Sequence, residues 1–179
     1  MQIEETFIKG CFILKPNVFS DQRGSFFESF NQSTFQKLTG IKTNFVQDNQ
    51  STSDRGVVRG LHFQTGEYAQ AKLVRVIQGE VLDVAVDIRK GSSTFGQHFS
   101  IILNDKNNFQ LYVPRGFAHG FSVISDKAIF GYKCDNYYHQ PSESGILYND
   151  PELNIDWKLE ASEIQLSEKD KCLPNFRDR

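Results

Sequence analysis

The chain is poor in residues that announce chemistry on their own. It has three cysteines, Cys11, Cys134 and Cys172, too widely spaced for a zinc or dithiol redox motif. It has four histidines, His62, His98, His119 and His139, and no His-x-His pair among them. Neither sign of charge dominates: 22 acidic against 20 basic side chains leave a net charge of -2, so no global basic field points to nucleic acid. No apolar run approaches the length of a membrane span. The opening stretch MQIEETFIKG is acidic and has no signal-peptide core. With dispersed thiols, this reads as a cytoplasmic protein with reduced, structural cysteines. Repeats, low-complexity tracts and linkers are also missing, so residues 1–179 are expected to form a single domain.

What is present is enough apolar material to build a core: 39% hydrophobic residues, including sixteen phenylalanines, which argues against disorder. Gly, Asn and Asp punctuate the chain at short intervals, as in all-β domains. The segments KTNFVQDNQS, VVRGLHFQ, AKLVRVIQGEVLDVAVDI, GQHFSIIL, FQLYVP, AHGFSVIS and KAIFGYKC read as strands. The third contains two strands and is expected to be a hairpin turning near Gln78-Gly79. In it Leu82, Val84 and Val86 alternate with Asp83, Ala85 and Asp87, giving one apolar and one mixed face. One early helix is expected in NQSTFQKLTG, capped by a Ser33/Gln36 box and stopped at Gly40. SEKDKC suggests a short helical turn. Seven or eight short strands with almost no helix imply a sandwich, jelly roll or barrel.

One strand does not fit a plain core. VVRGLHFQ carries Arg59 and His62 among residues that favour a pleated backbone. Strict alternation puts Arg59 with Leu61 on one face and His62 with Gly60 on the other. Gly60 leaves room beside His62 for another group. Lys72 enters a face shared with Val74 and Val76, which reads either as an exposed strand start or as a lysine reaching a ligand. The segment PRGFAHGF has the Pro114-x-Gly116-x-x-His119 spacing of the second cupin motif. Metal-binding cupins also carry an earlier His-x-His pair, where this chain has His62-x-Gln64. A catalytic metal needs about three protein ligands, and only His62 and His119 are plausible, so a metal-free pocket is expected. Paired to backbone, His119 would instead be an ordinary core histidine.

In order along the chain, DQRGSFFESF, FVQDNQS, VVRGLHFQ, AKLVRVIQGEVLDVAVDIR, PRGFAHGF, YKCDNYYHQPSESGI, YNDPELNIDW and LSEKD resemble the dTDP-4-dehydrorhamnose 3,5-epimerase family almost end to end. The resemblance implies an all-β, cupin-type jelly-roll barrel with few short helices. It implies a homodimer with exchanged N-terminal strands, a dTDP-4-keto-6-deoxy sugar as substrate, no metal and no redox cofactor. It makes His62 the base, Asp170 its carboxylate partner, Tyr132 the acid and Lys72 the enolate stabiliser. Arg23, Glu28, Gln47, Asn49, Arg59, His119, Tyr138, Glu143 and Lys169 match its substrate-binding positions, with Tyr137 leaving the register of the stacking tyrosine open. A single-carbon epimerase or a 3,4-ketoisomerase acting on a related dTDP-deoxysugar is the alternative.

Overall fold

The computed structural model describes residues 1–178. The chain opens with β1 (Gln2–Glu5), β2 (Phe12–Lys15), β3 (Phe19–Asp21) and β4 (Gly24–Phe26), followed by α1 (Gln32–Thr39). The central run is β5 (Gln47–Asp54), β6 (Val58–Gln64), β7 (Lys72–Gln78), β8 (Glu80–Asp87), β9 (His98–Asn104), β10 (Gln110–Val113), β11 (Phe117–Val123) and β12 (Lys127–Cys134). It closes with β13 (Glu143–Gly145) and α2 (Glu168–Lys171).

Eleven of these strands form two antiparallel sheets, β1-β2-β10-β7-β12-β5 and β13-β6-β11-β8-β9. Within them, β10-β7-β12-β5 and β6-β11-β8-β9 are the two sheets of a jelly roll, so the all-β expectation holds. The inner layer between them is apolar over much of its depth: Val74, Val76, Ala85, Phe117, Phe121 and Phe130 pack together there. Phe130 is 1% exposed at its centre, so truncation to alanine is expected to cost about 3–5 kcal/mol. The other face of the five-stranded sheet is covered by the C-terminal segment, with Val58, Leu61, Val84 and Ile146 against Leu153 and Trp157. Phe35 of α1 packs with Leu14, Leu73 and Tyr112.

Several local readings change. The stretch read as one hairpin is a corner between sheets: β7 and β8 do not pair, because β7 runs between β10 and β12 while β8 runs between β11 and β9. Gly79 makes that corner at φ 85°, and a Cβ there would lie 2.1 Å from the Lys127 carbonyl oxygen. α1 is capped by Asn31, whose side chain accepts from the Thr34 N–H, rather than by Ser33. Its end is as expected, with Gly40 left-handed at φ 72°. β5 begins only at Gln47, five residues into the segment read as a strand. The N-terminal strands β1 and β2 complete the chain's own sheet beside β10, whereas among the described residues β3 and β4 pair only with each other. That small hairpin leaves Phe19 and Phe26 at 65% and 73% exposure.

Candidate active site

The face of each side chain follows from register, because directly opposed residues of antiparallel strands project to the same side. On β12 and its neighbours, Tyr132 opposes Val74 and Asn49, and Cys134 opposes Lys72 and Gln47. Val74 belongs to the inner layer, so Lys72, Tyr132, Cys134, Gln47 and Asn49 all face the barrel interior. On the other sheet, His119 opposes His62 while Phe121 opposes Arg59. One residue on β11, Gly120, thus faces two on β6, a bulge at Gly60-Leu61. The extra residue cancels the alternation: Arg59 and His62 share the inner face, and Leu61 turns to the buried outer cluster. The strict-alternation reading of this strand is therefore wrong. Gly60 itself is at φ 138°, and a Cβ there would sit 2.6 Å from the Gly120 Cα, so close strand packing requires this glycine.

His62 and Asp170 are paired at 2.7 Å from Nε2 to the carboxylate, although 108 residues separate them. The C-terminal segment makes this possible. Gln165 bridges alongside Val57, the Ser167 hydroxyl accepts from the Asp170 N–H as N-cap of α2, and the Leu147 N–H bonds the Pro174 carbonyl. The Asp170 side chain is 5% exposed and that of His62 29%. Burial alone would raise the Asp170 carboxyl; hydrogen bonding and charge from His62, with the Gly60 N–H, instead hold it below its ordinary value. With Nε2 engaged, Nδ1 is the nitrogen left to accept a proton.

The opposite sheet supplies the remaining chemistry. Tyr132 is half-buried, and its phenol is pushed up to about 12 by burial, with the nearby Cys134 and Glu143 adding to the rise. It is therefore held protonated, as a proton donor must be. Lys72 Nζ lies 5.9 Å from the Tyr132 ring centroid. Burial pushes its ammonium down, against the opposing pull of Cys134, Asp83 and Glu143. Lys72 is thus no solvated strand start.

Around these residues the polar side chains interlock. The Tyr138 hydroxyl donates to Glu143 at 2.7 Å, and Glu143 also pairs with Lys169 of α2. Burial works against the Glu143 charge, but Lys169, Tyr138 and His62 together hold its carboxyl low. The Tyr138 N–H donates to Gln47, which in turn donates to Asn49. Of the two adjacent tyrosines, Tyr138 is the one tied to this set; the Tyr137 N–H donates to the Asn136 side chain. Arg59 donates to Ser53. His119 is bound by both carboxylate oxygens of Asp83, at 2.9 and 3.1 Å, and not by backbone.

Two expected site residues are not brought here by this chain's own fold. Arg23 sits at the tip of the β3–β4 hairpin, its side chain 90% exposed and paired with Asp21. Glu28 is exposed and accepts from Asn31 beside the α1 cap. Conversely, sequence reasoning missed Asp83, Ser53, Gln64 and Ser167. Only Asp83 left a signal, an acidic residue inside an alternating strand and 0% exposed in the structure.

A histidine–carboxylate pair on one wall of a jelly-roll barrel, with a protonated phenol and a desolvated ammonium on the other, defines a cupin-type acid–base site suited to moving protons at carbon. The chain belongs to the dTDP-4-dehydrorhamnose 3,5-epimerase family, whose model matches residues 5–178. It is 53% identical to the dTDP-4-dehydrorhamnose 3,5-epimerase of Escherichia coli over 97% of this chain and 93% of that protein. The crystal structure of the enzyme of that name from Elizabethkingia anophelis superposes with a TM-score of 0.96 at 51% identity, covering 100% of this chain and 98% of that one. A dTDP-6-deoxy-D-glucose-3,5-epimerase from Legionella pneumophila, solved with dTDP-4-keto-L-rhamnose, gives 0.95 at 49% identity over 98% and 93% of the two chains.

Proposed function

We propose that the chain inverts carbons 3 and 5 of dTDP-4-dehydro-6-deoxy-D-glucose, giving dTDP-4-dehydro-L-rhamnose for rhamnose biosynthesis. The observation that carries this reading is the His62–Asp170 pair at 2.7 Å, facing Tyr132 and Lys72 across the barrel of a chain half-identical to 3,5-epimerases.

Each inversion follows one scheme. A hydrogen beside the 4-ketone is acidic because the anion left behind delocalises onto the carbonyl oxygen. Nδ1 of His62 takes that proton, and Asp170 stabilises the imidazolium and fixes its tautomer. The Lys72 ammonium, partly shielded from solvent, faces the enolate oxygen; a donor of this kind typically contributes about 10²–10³ in rate. Tyr132 gives a proton to the same carbon from the opposite face. One proton leaves and one returns, so the step balances without a redox cofactor.

Nucleotide binding is assigned to the polar ring around this centre. Arg59 suits the diphosphate, since a guanidinium can fork onto its oxygens. Tyr138 offers its exposed ring to the base, and Gln47, Asn49, His119, Glu143 and Lys169 complete the contacts. Arg23 and Glu28 are assigned to the site of a second copy in a homodimer. Support comes from the exposed phenylalanines of the β3–β4 hairpin and from Arg23 at its tip, whose side chain is 90% exposed in this chain. We place this activity in the cytoplasm, where three unpaired cysteines would stay reduced. Incubation with the substrate in deuterated water tests the reading. Deuterium entering at both carbon 3 and carbon 5 is the expected result, and exchange at neither would overturn it.

A further inference from the structure

The loop that carries Tyr138 is gripped from both sheets at once. Its successive N–H groups at 138 and 139 each donate to a glutamine side-chain oxygen: Tyr138 to Gln47 of β5 at 3.0 Å, and His139 to Gln64 of β6 at 2.9 Å. Gln64 is 8% exposed and lies opposite Glu143 in the β6–β13 pairing, where the loop rejoins the sheet. The far side of the loop is fixed as well. The His139 ring stacks on Tyr68 at 3.8 Å between centroids, and its Nδ1 lies 2.8 Å from the Ser142 hydroxyl. The Ser142 carbonyl takes the Thr65 N–H, next to Gln64 in the chain. All these anchors converge on one short loop whose ring, Tyr138, is left 52% exposed.

We infer that Gln64 is a positioning residue that, with Gln47, clamps the 136–142 loop so that Tyr138 is ordered before the nucleotide arrives. The inference rests on the assignment of Tyr138 to the base. Gln64 occupies the place where metal-binding cupins carry the second histidine of their His-x-His pair. Here that position serves the nucleotide end of the site. Ordering a stacking ring beforehand lowers the entropic cost of binding and leaves the proton-transfer step untouched. The clamp should therefore act on affinity and little on turnover.

The test replaces Gln64 with methionine, similar in length but with no carbonyl acceptor, and titrates dTDP calorimetrically alongside steady-state kinetics. In Gln64→Met the dTDP Kd and the KM are expected to rise about tenfold, as for loss of one partner to a part-buried N–H. kcat is expected to change less than about threefold. A kcat loss at unchanged KM, or unchanged dTDP affinity, overturns the clamp. Amide hydrogen exchange on the wild-type protein tests it without any substitution: the Tyr138 and His139 amides should be protected in the absence of nucleotide, and exchange at the rate of an unstructured peptide would overturn the inference. Should the wild-type protein itself fail to bind dTDP, the assignment of Tyr138 falls, and the clamp with it.

Discussion

Replacing Asp170 with asparagine removes the charge beside the proposed base. The two side chains are nearly isosteric, and the carboxylate it removes lies 2.7 Å from His62 Nε2. When His62 takes a proton, an imidazolium forms beside that carboxylate. With charge centres about 4 Å apart and an effective dielectric near 20, the attraction is about 4 kcal/mol, or roughly 10³ in rate. The effective dielectric is appropriate because His62 is partly open while Asp170 is 5% exposed. Asparagine adds a second defect: its amide can donate to Nε2, which fixes the tautomer with the proton on Nδ1 and removes the base. Comparable His–Asp pairs lose about 10⁴ on this change. The assay is deuterium exchange from solvent into the substrate, followed by mass spectrometry at saturating substrate. A loss of about 10³–10⁴ is expected with dTDP affinity nearly unchanged. A loss smaller than tenfold would refute the claim that Asp170 stabilises the charged base.

Tyr132→Phe keeps the inward ring but removes the proton donor, so net inversion should fall by about 10²–10⁴ while exchange on the His62 face persists, read by comparing product formation with deuterium uptake. Lys72→Met should lose about 10²–10³ in rate yet raise the melting temperature, because the fold penalises the buried ammonium it removes; calorimetry showing a lower melting temperature would contradict this. Acid unfolding should distinguish Asp170→Asn from wild type. The folded carboxyl is depressed below 3.8, so its contribution to stability is present above that value and lost as pH falls through the lower, folded value. Denaturant titrations should therefore show a shallower acid loss in the variant. Phe26→Ser at the exposed hairpin should shift the sedimenting mass toward the 20.5 kDa monomer and weaken dTDP binding together; a wild-type monomer would refute the dimer assignment.

The strands were legible because β-branched and aromatic residues recur among polar ones over β7, β8 and β12. The inward direction of Lys72 was not, since its place at the start of β7 fitted an exposed lysine equally well. What the pattern could not show was where alternation breaks. A single extra residue at Gly60-Leu61 puts Arg59 and His62 on one face, against their spacing. Gly79 reads as a hairpin turn because a sheet-to-sheet corner needs the same left-handed glycine. The Asp170–His62 pair was beyond local reasoning, since it depends on how the C-terminal segment lies along β6. Only the family resemblance linked the two residues. Asp83 and Gln64 were missed because each binds a partner on another element, His119 and the His139 N–H, that no spacing connects.

The central claim is that His62 moves the protons, and His62→Ala tests it most directly. The measurement is deuterium incorporation at carbons 3 and 5 from deuterated water, paired with dTDP titration of the same protein. Exchange should vanish at both carbons while dTDP binds within about threefold of wild type, since His62 belongs to the sugar end of the site and Arg59 and Tyr138 to the nucleotide end. Exchange surviving at either carbon would contradict the assignment of His62 as the base, and binding lost in step with exchange would make His62 structural.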